Sequence, residues 1–168
     1  MQLRPATVSD ADQLSKLAIL TYTAAFGHSF TDADLAAHVD KHLSPECFTQ
    51  ILKHDTVIVA ELADNLIGYV QFGASRSLST NVHDCELRRL YVQPECQNEG
   101  YGSALMEAAL NNADMASAAN IYLDVWEHNL GAQRFYRRYG FEVIGSRKFE
   151  VESGAETSVD LVMVRRRI

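Results

Sequence analysis

The stretch Gln97–Gly102, QNEGYG, places two glycines one residue apart where an apolar, strand-like run gives way to a helix-like run. A glycine-bearing turn that opens a helix exposes several backbone N–H groups at the positive end of the helix dipole. Those groups can donate to phosphate oxygens, so the turn is a candidate phosphate site. We expect Gly100 and Gly102 to adopt torsions that other residues avoid and to let an oxygen approach the main chain.

Two familiar phosphate motifs do not fit this turn. The P-loop requires a Gly-Lys pair followed by Ser or Thr, and no such triplet follows here. The dinucleotide motif G-x-G-x-x-G fails because Leu105 stands at the third glycine position. Taken alone, the hexamer is therefore either a phosphate seat of another kind or only a glycine-rich helix start.

The elements around the turn follow from hydrophobic periodicity and capping residues. Capping patterns at Ser9, Thr31 and Ser44 predict that two or three helices precede the main sheet. The expected order is a strand at 3–6, these helices, strands at 56–62, 66–73 and 85–92, a helix from about 103, a strand at 120–125, a helix at 130–139, and strands at 141–145 and 158–166. This order predicts an α/β (α+β) fold with a mixed sheet and helices on its faces.

Composition limits the kind of protein further. The 168 residues suit one domain spanning 1–168, and 47% hydrophobic with 22% charged residues is ordinary for a globular chain. A net charge of −7 argues against nucleic acid and membrane partners and favours cationic substrates. No leader or apolar span is evident, so the cytoplasm is the expected compartment.

A metal site is not expected. The three cysteines, Cys47, Cys85 and Cys96, are far apart and show neither C-x-x-C nor Cys/His ligand spacing. Their odd number and wide spacing also argue against a disulfide framework.

The segments around the turn resemble those of a known protein family. The segment LYVQPECQNEGYGSALM resembles the acyl-CoA-binding segment Q/R-x-x-G-x-G/A of the Gcn5-related N-acetyltransferase (GNAT) family, with Gln97, Gly100 and Gly102 at the defining positions. A second segment, LDVWEHNLGAQRFYRRYGFEVIG, resembles the other acyl-CoA segment of that family through Asn129, Ala132, the pair Phe135-Tyr136, and Gly140-Phe141. The resemblance covers roughly residues 1–165 and is strongest to the bacterial polyamine acetyltransferase branch.

This resemblance implies a fold and a set of roles. The family fold has six to seven mostly antiparallel strands, helices on both faces and two central strands that splay apart. Acetyl-CoA is the implied cosubstrate, and the backbone from Asn98 to Ser103 would hold its pyrophosphate. The full set of implied cofactor-binding residues is Leu90, Tyr91, Val92, Gln97, Asn98, Glu99, Gly100, Tyr101, Gly102, Ser103, Asn129, Ala132 and Tyr136.

Catalysis requires a proton donor for the departing thiolate and a base for the ammonium of the acceptor. Tyr136 matches the tyrosine of the family whose hydroxyl lies near the sulfur, although a helical tyrosine is otherwise often a core residue. For the base, Glu86 is the expected residue, and two alternatives to it stay open. Glu86 matches the carboxylate of histone-type members, Asp124 matches that of members that acetylate ribosomal-protein N-termini, and a water chain needs neither.

The acceptor is the least determined part. The resemblance favours a small polyamine that attacks the thioester directly, with a protein N-terminus or a lysine as the alternative. Tyr22, Phe26, His28, Phe30, Asp32 and Asp34 occupy the helices that border the acceptor site in the family, and core packing and capping explain them equally well. A non-catalytic acyl-CoA sensor and an unrelated phosphate-binding protein remain rivals, and dimers are common in the family.

Overall fold

The computed structural model describes residues 1–29, 31–79, 81–150 and 157–167. The helices are α1 (Ala11–Phe26), α2 (Asp32–His42), α3 (Pro45–His54), α4 (Tyr101–Leu110), α5 (Ala113–Ser117) and α6 (Leu130–Arg138). The strands are β1 (Gln2–Pro5), β2 (Thr56–Leu62), β3 (Asn65–Ala74), β4 (Cys85–Val92), β5 (Asn120–Trp126), β6 (Glu142–Glu150) and β7 (Thr157–Arg166). Every predicted strand and long helix is present, and the short α5 was not predicted.

The strands form one sheet in the order β1-β2-β3-β4-β5-β7-β6, which confirms the predicted mixed α/β fold. The pairs β1–β2, β2–β3, β5–β7 and β6–β7 are antiparallel, whereas β4 and β5 are parallel. The registered pairs of β4 and β5 are Cys85 with Ile121 and Glu86 with Tyr122, at the start of both strands. No membrane-spanning helix, which would need both length and sustained apolarity, occurs among the described residues.

Capping explains where the N-terminal helices begin. Thr31 and Ser44 cap α2 and α3, as predicted, because each side chain accepts a hydrogen bond from the backbone three residues ahead. The cap predicted at Ser9 is wrong. A 3-10 turn precedes α1, and Asp10 accepts from the Thr7 amide at 2.7 Å.

Asp10 is also held by Arg4 on β1, whose Nη2 and Nη1 lie 2.8 and 2.9 Å from its two carboxylate oxygens. Since Asp10 is buried, this pairing replaces the water that the carboxylate loses on folding.

Contacts divide the chain into two compact units, each made of two segments. Unit 1 comprises Met1–Phe72 and Arg89–Asn112, and unit 2 comprises Gly73–Arg88 and Ala113–Ile168. The prediction of a single domain stays a prediction. In unit 1, α1 and α3 pack on one face of β2 and β3, where the buried apolar residues include Leu14, Leu17, Phe48, Val57, Val59 and Tyr69.

Gly68 of β3 allows the backbone of β3 to lie close to the backbone of β4. A Cβ at this position would lie 2.9 Å from the Tyr91 carbonyl oxygen and 3.1 Å from Leu105 Cδ1 of α4. A backbone oxygen cannot rotate away as a side chain can, so this approach requires glycine. Gly68 thereby sets the position of the β4 carbonyl end, which leads into the glycine turn.

We expect Gly68→Ala to lower the free energy of unfolding by about 1–3 kcal/mol, the usual cost of overpacking. Urea denaturation measures this change. The matched control is Gly145→Ala, because a Cβ at Gly145 meets no atom within 4 Å. Equal stability of the two variants would contradict the close approach.

Candidate active site

The turn before α4 has the backbone geometry of an anion seat. Asn98 and Gly100 have positive φ values of 65° and 85°, and Gly100 is the N-cap of α4. The first intrahelical hydrogen bond runs from Ala104 N to Gly100 O at 3.0 Å. The three preceding amides, of residues 101–103, therefore have no acceptor within the helix.

The two glycines differ in role. Gly100 adopts the left-handed conformation that was predicted, and a Cβ there would meet no atom within 4 Å, so its requirement is conformational. Gly102 lies inside the first turn of α4 and is absent from the residues with positive φ. The unusual torsion predicted for Gly102 is therefore wrong, because a residue at the second helical position already has ordinary helical torsions.

The strand end and the turn are joined in unit 1. Gln97 donates from Nε2 to the Val92 carbonyl at 3.2 Å, so the side-chain amide of the motif binds the backbone at the end of β4. Leu90 and Tyr91 are half-buried and Val92 is buried. Asn98, Glu99 and Gly100 are exposed, whereas residues 101–103 are half-buried.

In unit 2, Asn129 and Tyr136 are placed by α6. Asn129 caps this helix, since its Oδ1 accepts from the Ala132 amide at 3.0 Å. Its remaining amide donors are the groups that a ligand could use. Tyr136 is 8% exposed, and its ring meets those of Phe135 and Phe141 edge-on, with centroids 5.5 and 5.9 Å away.

Glu86 is tied into the loop that follows β3. Its Oε2 accepts from Ser75 Oγ and from the amides of Arg76 and Ser77 at 3.1–3.3 Å, and its Oε1 accepts from Ser77 Oγ at 3.0 Å. Burial opposes ionisation, but the hydrogen bond from the Arg76 amide, the charge of Arg88 and the bonds from Ser77 outweigh it and lower the pKa of Glu86. This geometry does not support the prediction that Glu86 is the base, because a stabilised, fully bonded carboxylate is a weak proton acceptor.

Asp124 on β5 has the opposite environment. Its Oδ2 accepts from Arg147 Nη1 at 3.2 Å, while its Oδ1 is buried and has no hydrogen-bond partner within the described residues. Burial raises the pKa of Asp124 to about 6. The charge of Arg147 opposes that rise, and the charges of Asp160 and Glu86 add to it. Asp124 is thus poised to exchange a proton near neutral pH.

Arg147 contacts Asp124, and the charge of Asp160 acts on it, but the sequence analysis identified neither residue. Asp160 pairs with Trp126 on one side and with Arg147 on the other, so the three side chains form a row across β5, β7 and β6. Burial raises the pKa of Asp160 as well, against the charge of Arg147. The position of Asp160, between Val159 and the apolar run LVMV, was an available signal of a functional residue, since apolar strands rarely carry a charge.

The residues predicted to border the acceptor are partly structural. The Tyr22 ring stacks on His38 with centroids 4.3 Å apart and contacts Phe26 at 5.0 Å. Asp34 closes the cap of α2 by accepting from Thr31 Oγ1 at 2.7 Å. His28 and Asp32 are exposed, and Phe30 lies outside the described residues.

His38 and His42 form an H-x-x-x-H pair on α2, so the expectation that the histidines include no such pair was wrong. Their rings lie 4.8 Å apart. Within the described part of the chain, no group of three His, Cys, Asp or Glu residues has the arrangement of a metal site.

Known proteins share both the sequence and the fold. Residues 13–141 match the family model described as Acetyltransferase (GNAT) family. An uncharacterised N-acetyltransferase of Mycobacterium tuberculosis is 31% identical over 160 residues, which are 94% of this chain and 98% of that protein. A spermine/spermidine N(1)-acetyltransferase of Bacillus subtilis is 25% identical over 139 residues, 73% of this chain and 90% of that protein.

Among solved structures, the PaiA N-acetyltransferase of Thermoplasma acidophilum in complex with coenzyme A superposes with a TM-score of 0.79 over 99% of this chain and 98% of that one. Its sequence identity of 17% makes this a likeness of fold. Because the family model spans most of the chain and a 31% identical relative matches nearly all of it, the chain belongs to the GNAT family of acetyl-CoA-dependent N-acetyltransferases.

Proposed function

We propose that this enzyme transfers the acetyl group directly to the primary amine of a small cationic acceptor, with Asp124 as the general base. The observation that carries the proposal is the carboxylate of Asp124. Burial raises the pKa of this carboxylate to about 6, and its Oδ1 has no hydrogen-bond partner within the described chain. A base needs a free lone pair and a pKa near the working pH, and Asp124 has both.

The donor is held by the groups that the family resemblance assigned. The amides of residues 101–103 have no acceptor within α4, which suits the pyrophosphate of acetyl-CoA. Asn129 keeps its amide donors for the pantetheine arm, because its carbonyl oxygen is used by the helix cap. The backbone at Leu90, Tyr91 and Val92 is proposed to run beside the pantetheine and to donate to the thioester carbonyl.

Tyr136 is proposed to donate its hydroxyl proton to the departing thiolate. Its ring is fixed edge-on between those of Phe135 and Phe141, so the direction of the hydroxyl is set by packing. A rigid donor is what a proton transfer to a fixed sulfur requires.

We expect Tyr136→Phe to lower kcat by about a hundredfold, the low end for a general acid, with KM for acetyl-CoA changed much less. The variant keeps the ring contacts, so its Tm should match that of the wild type within the error of the measurement. Steady-state kinetics with release of free thiol gives both constants. An unchanged kcat would remove Tyr136 from the chemistry.

The proposal that Asp124 is the base predicts how kcat/KM depends on pH. A carboxylate with a pKa of about 6 is ionised above that pH, so kcat/KM should fall about tenfold per unit as the pH drops below 6. In Asp124→Asn the acidic limb should disappear, and kcat/KM at pH 8 should fall by about a hundredfold. Persistence of the same limb in the variant would show that another group is the base.

The control is Glu86→Gln, which replaces the other predicted carboxylate with an amide of the same shape. Because Glu86 binds the backbone of residues 76 and 77, we expect this variant to lower Tm while the acidic limb near pH 6 remains. Loss of the limb only in Glu86→Gln would restore Glu86 as the base.

Electrostatics supports a cationic acceptor. Glu86, Asp124 and Asp160 bring three carboxylates to neighbouring strands of unit 2, and Arg147 is the guanidinium whose charge acts on Asp124 and Asp160. The net charge of −7 acts in the same direction at long range. A polyamine is the acceptor class that these features favour, and the Bacillus subtilis relative is named for spermine and spermidine.

A protein N-terminus is the second candidate. It is favoured by the place of the proposed base, because Asp124 matches the carboxylate position of family members that acetylate ribosomal-protein N-termini. Such an acceptor offers one ammonium on a peptide, whereas a polyamine offers several on a flexible chain.

Acetyl-CoA turnover across spermidine, putrescine, aminoglycosides, amino acids and short peptides tests the acceptor. We expect spermidine or putrescine to give the highest kcat/KM, because each has a second ammonium that the carboxylates can attract. Highest kcat/KM with a peptide would favour the second candidate instead. Acetyl-CoA binding without turnover of any amine would contradict the proposed function.

A further inference from the structure

Arg147 of β6 makes a hydrogen bond to the proposed base. Its Nη1 donates to Asp124 Oδ2 at 3.2 Å, and the exposed fractions of the two side chains are 36% and 22%. The other carboxylate oxygen of Asp124, Oδ1, is buried and has no hydrogen-bond partner in the described residues. The contact therefore engages one oxygen of the carboxylate and leaves the second one for another donor.

The contact between Arg147 and Asp124 crosses a strand. The strand order places β7 between β5 and β6. Arg147 is registered with Asp160 of β7, whereas Asp124 is registered with Val162, two residues further along β7. Two strand spacings are about 10 Å, so the guanidinium has to extend diagonally over β7 to meet the carboxylate on β5.

A second contact limits the position of the guanidinium. Nη1 of Arg147 lies 3.5 Å from Ser77 Oγ, and Ser77 donates from its amide and its hydroxyl to the carboxylate of Glu86. A distance of 3.5 Å is too long for a strong hydrogen bond, so Asp124 is the nearer of these two partners. Glu86 thus holds in place the hydroxyl beside which the guanidinium lies.

Charged groups on three neighbouring strands act on the ionisation of Asp124. Burial raises its pKa to about 6. The charge of Arg147 on β6 opposes that rise, and the charges of Asp160 on β7 and Glu86 on β4 add to it. Arg147 also opposes the rise in the pKa of Asp160, to which the charge of Glu127 adds. Among these groups Arg147 favours the ionised form of Asp124, and the two carboxylates disfavour it.

The contact can affect ionisation much more than it affects folding. An ion pair between partly exposed side chains contributes little to folding, because the gain is screened and both side chains lose freedom. The same guanidinium acts more strongly on the ionisation of a half-buried carboxylate, since water screens the interaction less there. The two effects can therefore be measured apart.

We propose that Arg147 is a positioning residue for the transfer reaction. By binding Oδ2 it keeps Asp124 ionised and leaves Oδ1 for the ammonium proton of the acceptor. In that step an N–H bond of the ammonium breaks and an O–H bond forms on Asp124, while the guanidinium keeps its own protons. This role rests on the function proposed above, in which Asp124 is the base.

The pH dependence of Arg147→Gln tests the role. Without the guanidinium Asp124 is harder to ionise, so the acidic limb of kcat/KM should move up by about one pH unit, the low end for loss of a neighbouring opposite charge. At pH 5 kcat/KM should then lie about tenfold below that of the wild type, whereas Tm should hardly change. Arg147→Lys keeps the charge and should return the limb towards its wild-type position.

Two further variants control for charge. Lys148→Gln removes the same charge from the next residue of β6, which is exposed and lies on the opposite face, so the limb should stay in place. Asp160→Asn removes a charge that raises the pKa of Asp124, so the limb should move to lower pH. An unmoved limb in Arg147→Gln, an equal movement in Lys148→Gln, or movement of Asp160→Asn in the same direction would overturn the proposal.

A titration of the carboxyl group itself separates the role of Arg147 from that of the base. NMR of protein labelled with carbon-13 at the aspartate carboxyl carbons follows Asp124 directly, and the signal that is missing in Asp124→Asn assigns it. Arg147→Gln should raise the pKa measured for Asp124 in the absence of any acceptor. If that pKa does not move, the positioning role fails, and the limb of Asp124→Asn still decides the base. If that pKa moves while the limb of kcat/KM does not, Asp124 is not the base, and the role of Arg147 in the reaction fails with it.

Discussion

The left-handed backbone at Asn98 and Gly100 is the constraint on which the donor site depends. A helix can present its first amides to a ligand only if the preceding chain turns away without covering them. Here the positive φ at Gly100 makes that turn, and the bond from Gln97 to the Val92 carbonyl fixes the turn to the end of β4. Gly68 in turn sets where that strand end lies, because a side chain there would strike the Tyr91 carbonyl.

In unit 2 two carboxylates, Glu86 and Asp124, differ in how readily they ionise. Glu86 and Asp124 are both carboxylates on neighbouring strands, and burial disfavours ionisation of each. Four hydrogen bonds from residues 75–77 compensate Glu86, whereas one guanidinium contact leaves an oxygen of Asp124 without a partner. The pKa values therefore shift in opposite directions, and of these two carboxylates only Asp124 has a pKa that rises towards neutrality.

Much of the fold could be read from the sequence because its signals are local. Strand β4 was predicted with its exact bounds, and the caps at Thr31 and Ser44 depend on residues three positions apart. The donor motif was found for the same reason, since its glycines lie in one short turn. The prediction of a cap at Ser9 was wrong because Thr7 has the same local pattern. Only the hydrogen bond from Arg4 to Asp10 distinguishes the two positions.

The proposed base could not be assigned from the sequence because the ionisation of Asp124 depends on distant residues. Asp160 and Arg147 reach Asp124 through the pairing of β5, β7 and β6, and no spacing along the chain records that. The seryl and backbone donors that make Glu86 a poor base likewise come from a loop about ten residues away. The sequence made Glu86 the expected base, with Asp124 and a water chain as alternatives, and only the sheet shows that Asp124 keeps an oxygen without a partner in the described chain.

Each unit contains a charge that contacts within the fold compensate. In unit 1 Arg4 is bound by Asp10 and Glu61, and its contact with Asp10 is the main reason that the pKa of Asp10 is lowered to about 2. In unit 2 Glu86 is compensated by four hydrogen bonds, whereas Asp124 is compensated by Arg147 alone and keeps one oxygen without a partner in the described chain. Compensated charges stabilise a fold, whereas an uncompensated buried charge persists at a cost that a ligand or a proton can remove. This difference between Glu86 and Asp124 is the reason that we propose Asp124 as the base.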